Sequence, residues 1–173
     1  PAEDHDDHGG GHAGPDSHIW LAPKLIRQQA HTICEALCRR DAANCAAYRR
    51  NLAVFQAELD SLDAELAGRL ATLAGRELFV FHPALGYFAD AYKLIQVPIE
   101  MAGKEPGSKS FAALVGRARA AGVKTIFAER QFSPKSAQAV AQQIGAEVVM
   151  IDPLARDCFQ NLREIAGMIE KMK

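Results

Sequence analysis

The sequence predicts an α/β fold: a four-stranded parallel sheet flanked by helices and preceded by one long helix. Two observations carry this. Four short runs are apolar on both faces: ELFVF (77–81), KLIQVPIEM (93–101), VKTIFAE (123–129) and AEVVMID (146–152). Helical patterns alternate with them at 84–91, 110–121, 134–144 and around 159–172. Strands apolar on both sides and separated by helices form a parallel sheet covered on both faces.

In chain order, the first helix is predicted after Pro23, a residue suited to a first helical turn. Its expected apolar face is Leu25, Ile26, Ala30, Ile33 and Leu37. A second helix is predicted from Asn44 to Leu73. Its apolar residues Tyr48, Leu52, Phe55, Leu59, Leu62, Leu66, Leu70 and Leu73 step by three and four without a break. At 1.5 Å per residue such a helix would run about 45 Å, longer than a small domain needs and suited to a spine between two bodies. Ser108 or Ser110 and Ser133 are expected to cap the helices they precede. Gly122 and Gly145 sit where a helix closes just before a strand. The expected division is a His/Asp-rich flexible segment over 1–17, a helical segment over 18–74 and an α/β unit over 75–173.

The 173 residues are enough for one buried core. Twenty Lys and Arg against 21 Asp and Glu leave a formal charge of -1. No clustered basic surface is visible, so nucleic acid is not an expected partner. No run approaches the roughly 20 apolar residues of a membrane span. The chain opens inside a polar tract without Met or leader, and is expected to be a processed or excised piece. Four cysteines, Cys34, Cys38, Cys45 and Cys158, contain no C-x-x-C pair, which disfavours a zinc ribbon or a redox motif. Cys38 and Cys45 flank the break CRRDAANC, where a disulfide could staple the corner and place the chain in an oxidising compartment. Four free thiols are the alternative, and the sequence leaves both open.

Ligands of open parallel sheets bind beyond the carboxyl ends of the strands. Those ends carry His82, Glu129 and Asp152, and His18 at the foot of the first helix adds a second imidazole. Imidazole nitrogen with a carboxylate is a donor set for zinc. Each residue also has a plainer reading. His82 could be a hydrogen-bonded loop residue, Asp152 could cap the turn made by Pro153, and Glu129 is expected to be exposed or to pair with Arg130. The opening tract holds His5, His8 and His12 among five acidic residues and four Gly. Too apolar-poor to offset the entropy of ordering, it is expected to catch metal with modest affinity.

At these residues the chain resembles the solute-binding proteins of zinc and manganese ABC importers, the TroA-like family. DSHIWLAP (16–23) is similar to the family's Asp-Pro-His-x-Trp-Leu-x-Pro, with Ser17 in place of Pro. NCAAYRRNLAVFQAELDSLDAEL (44–66) resembles its interlobe helix, and VFHPALGYFADAYKL (80–94) its His-x-Ala-x-x-Tyr-x-x-x-x-Tyr segment. FAERQFSPKSAQAVAQQIGAEVVMIDPL (127–154) resembles its last two strands. The resemblance implies a carboxy-terminal lobe plus interlobe helix, with His18, His82 and Asp152 holding Zn²⁺ as transported ligand rather than cofactor. It further implies a periplasmic protein, or an extracellular lipoprotein, that delivers zinc to an ABC permease. The family's other lobe, which supplies one more His, has no counterpart here and is an expected partner. A His at 82 is similar to the zinc branch, where the manganese branch places Glu. A manganese or iron carrier and a metal-binding adhesin are alternatives. A zinc hydrolase is a more distant one, since no general-base motif such as H-E-x-x-H is present, and no enzyme activity is expected.

Overall fold

The computed structural model describes residues 15–100 and 106–172. After a short 3₁₀ turn at Ile19–Leu21, helix α1 (Pro23–Arg40) and helix α2 (Cys45–Leu70) form an antiparallel hairpin. Then follow β1 (Glu77–Val80), α3 (Gly86–Ala91), β2 (Ile95–Pro98), α4 (Ser108–Ala120), β3 (Thr125–Glu129), α5 (Lys135–Ile144), β4 (Glu147–Ile151) and α6 (Cys158–Glu170). All three strand pairings are parallel, in the order β2-β1-β3-β4. Each apolar run of the sequence became one strand. No helix among the described residues is long and apolar enough to cross a membrane.

Alternation along the strands sorts the core into two layers. Leu78, Val80, Phe127 and Ile151 face α2 and α6, while Phe79, Phe81, Ile126 and Ala128 face α4 and α5. The 3.6-residue stripe of α2 is used unevenly. Leu59, Leu62, Leu66 and Leu70 are fully buried, whereas Tyr48, Leu52 and Phe55 nearer its start are only partly covered. Four leucines so buried contribute roughly 1.5–3 kcal/mol each before entropy is charged. Charged contacts fasten the same half of α2 to α6. Glu65 accepts from Arg163 and Arg69, and Arg69 reaches Glu170.

The first half of the hairpin departs from the sequence expectation. Beyond Pro23 at its start, α1 buries Ile26 and Cys34, while Ile33 and Leu37 stay 59% and 42% exposed. The principal partner of α1 is α2, so its wide apolar face is only half used. At the corner a disulfide joins Cys38 to Cys45; Cys34 and Cys158 remain thiols. Beside it Asp41 accepts hydrogen bonds from Asn44 and Tyr48, which hold its carboxyl below the usual range.

Helix ends follow their own chemistry. Gly145 closes α5 in the left-handed conformation, at φ 67°. Ser108 lies inside α4 behind an N-terminal Gly107 and gives no side-chain cap. Ser133 Oγ accepts from the Lys135 amide at 3.5 Å, a long contact. Asp157, not anticipated from the sequence, caps α6 through the Gln160 amide.

Candidate metal centre

The chain leaves β1 toward β2 on one side, and β3 with β4 lie on the other. The carboxyl edge between β1 and β3 is therefore the switch point at which open α/β sheets bind ligands. His82 stands there, two residues past the end of β1. The register fixes its neighbours. Val80 lies opposite Pro98 of β2 and Phe127 of β3, so two residues further on His82 falls between Glu100 and Glu129. Both carboxylates use that placement. Glu100 takes His82 Nδ1 at 2.5 Å, and Glu129 Oε2 accepts the His82 backbone N–H at 3.1 Å. The ring of Phe132, from the loop after β3, lies over the imidazole at 4.8 Å and 31°.

Glu129 corrects the sequence expectation. Far from being exposed or paired with Arg130, it is fully buried, because β3 has strands on both sides and its last side chain is roofed by the His82 loop. Burial pushes its carboxyl up to about 7, opposed by the His82 amide and reinforced by the nearby Glu100 charge. Its Oε1 is buried with no hydrogen-bond partner.

His18 reaches the same place from the opposite end of the chain. Leu21, Ala22 and Pro23 of its turn are buried, and the Trp20 indole donates to the Pro153 carbonyl in the loop after β4, at 2.9 Å. Asp16 Oδ1 accepts the His18 backbone N–H at 2.9 Å and meets Nδ1 at 2.6 Å. Asp16 is itself held where Tyr87 donates to its carbonyl. Gly86 lets it approach, since a Cβ there would stand 2.8 Å from Asp16 Oδ2. The His18 and His82 rings meet edge to face, with centroids 5.2 Å apart.

The structure thus brings His18 and His82 together. Asp152 follows β4 at the same edge, but its Oδ1 accepts from Gln131 and from the Leu154 amide, closing its own turn. Among the described residues no group of three or more His, Cys, Asp or Glu is gathered closely enough to hold a metal ion. His5, His8 and His12 lie outside the described residues. Sequence reasoning gave no role to Glu100, Asp16 or Phe132. Glu100 was detectable as the one charged residue inside the apolar run KLIQVPIEM, apart from its leading Lys93.

The family described as "Zinc-uptake complex component A periplasmic", ZnuA, matches residues 1–171. The chain belongs to that family. It is 31% identical over 160 residues to the high-affinity zinc uptake system protein ZnuA of Bacillus subtilis (strain 168), covering 91% of this chain and 50% of that protein. A crystal structure of ZnuA superposes with a TM-score of 0.88 at 43% identity, covering 91% of this chain and 62% of that one. A ZnuA deletion mutant with zinc bound gives 0.86 at 43% identity, covering 91% and 61%. The chain therefore spans about half the length of this curated ZnuA relative and shares the fold of the solved ZnuA structure.

Proposed function

We propose that this chain is the zinc-capturing carboxy-terminal part of a periplasmic, or extracellular membrane-anchored, solute-binding protein that hands Zn²⁺ to an ABC permease. Residues 75–173 would be the lobe, 18–74 its helical segment with the interlobe spine, and 1–17 an accessory metal-catching segment. The span of about half a relative's length leaves room for a second lobe to add a further ligand.

The observation that carries this reading is the spacing of the two imidazoles. A tetrahedral zinc held at about 2.0–2.1 Å by two ring nitrogens sets the ring centroids about 5 Å apart; His18 and His82 stand at 5.2 Å. Each ring also meets a carboxylate at Nδ1, the partner that metal-bound histidines commonly have on their second nitrogen. Two nitrogen donors favour zinc over manganese, which prefers oxygen. Asp152 could complete the shell by turning from Gln131. Capture and release need no bond chemistry, and no catalytic step is invoked.

Calorimetric titration with Zn²⁺ tests the proposal in a chain lacking residues 1–14, so that His5, His8 and His12 cannot contribute. One site that His82→Ala removes is the expected result. Equal stoichiometry and affinity in the variant would refute it.

A further inference from the structure

We propose that Glu100 is the positioning residue that locks His82 into one tautomer, with the proton on Nδ1 and the lone pair on Nε2 for the cation. This rests on the zinc reading above and deepens it. A neutral imidazole carries its proton on either nitrogen, and its neighbours decide which. Glu100 is 5% exposed, and its carboxylate meets His82 Nδ1. An ionised carboxylate can only accept, so the proton between them belongs to Nδ1. A buried carboxylate without a partner is costly, and the imidazole N–H offsets that cost.

The backbone makes the contact reproducible. The Ile99 amide donates to Val80 and the Glu100 amide to Phe81, which carries the β1–β2 pairing up to the residue beside His82. Glu129 holds the His82 amide from the other side, and Phe132 covers the ring face. Backbone, ring plane and proton position are therefore set by three different residues before any ion arrives. Asp16 meets His18 Nδ1 in the same way, so both rings would offer Nε2 to one ion. The negative charge on Glu100 also makes Nε2 a better donor.

The test reads the tautomer in metal-free protein. Long-range ¹H–¹⁵N correlation spectra of histidine-labelled chain are recorded at about pH 8, above the ordinary imidazole range. Wild type should show His82 protonated at Nδ1. Glu100→Ala should lose that preference and weaken zinc binding about 10–100-fold. Glu100→Gln, whose amide oxygen still accepts from Nδ1, should keep the tautomer and recover most of the affinity. Should Glu100→Ala fail to fold, Glu100→Asp withdraws the carboxylate by one methylene and carries the same expectation. An unchanged His82 tautomer in Glu100→Ala or Glu100→Asp would overturn the proposal. So would a Glu100→Gln chain that loses zinc as badly as the alanine variant, since that marks Glu100 as a direct ligand. The spectra contain no zinc. A tautomer shift in a chain that binds none would uphold Glu100 and sink the transport reading alone.

Discussion

The two imidazoles meet at one point but are held by different parts of the molecule. His82 belongs to the sheet. Strand register delivers it between two buried carboxylates, Glu100 just past β2 and Glu129 at the end of β3, and its backbone is tied to Glu129. His18 belongs to a turn in front of α1, and its position depends on Asp16, on the Trp20 hydrogen bond and on the close approach at Gly86. The difference separates what the core fixes from what local side chains fix. A cation joining the two arms would tie the turn to the sheet, and loss of either arm would be felt at once, while distant parts of the hairpin would not matter.

Removal of either ring is the largest perturbation. His82→Ala and His18→Ala should each weaken zinc binding by more than about 100-fold, beyond the cost of losing an outer-shell partner. Competition titration with a zinc chromophore measures it. If only one of the two substitutions matters, the rings do not share an ion.

The disulfide supplies the opposite pattern. Cys38 and Cys45 close a short loop, and replacing both with Ser should cost about 2–3 kcal/mol of stability in denaturant melts. Zinc affinity should not change, because α1 separates that corner from His18 by its 18 residues, about 27 Å. A fall in affinity would mean that the hairpin is coupled to the site.

Trp20→Phe acts on one arm alone. It keeps the apolar ring and deletes the bond to Pro153, for about 1 kcal/mol of stability and a loss in zinc affinity of about fivefold at most. The His82 tautomer should stay as it was. A changed tautomer would show that the arms are not independent.

Glu129 concerns the metal-free protein and is read in stability alone. Its carboxyl is raised from 4.5 to about 7 in the folded chain, chiefly by burial. A raised pKa contributes stability that is complete below the unfolded value and lost as pH climbs through the folded one. Stability should therefore decline from about pH 5 to about pH 8, and Glu129→Gln should flatten that decline. Urea melts at the two pH values decide it; an identical slope in the variant would contradict the assignment.

The sheet was legible in the sequence because both-face apolar runs and helical periods are local signals. The four strands, the helices between them and the glycine that ends α5 all appeared where those signals lay. Strand order was not legible, and it decided what happened to Glu129. At the end of an edge strand that carboxylate would have been exposed; at the end of β3 it is buried beneath the His82 loop. Glu100 went unassigned for the same reason, since only the register of β1 against β2 brings it beside His82. Ile33 and Leu37 of α1 read as buried from their period, yet a helix with one principal partner covers only part of its apolar face. His18 and His82 were singled out because each sits at an element's end, where a side chain can reach a ligand. Their approach to 5.2 Å across a separation of 64 residues is a tertiary fact.

Anomalous scattering at the zinc edge, from crystals of this chain soaked in Zn²⁺, addresses the shared site most directly. The predicted map has one strong peak about 2.0–2.1 Å from a nitrogen of each ring, His18 and His82. A peak bonded to only one of them, or none at the edge between β1 and β3, would contradict the account.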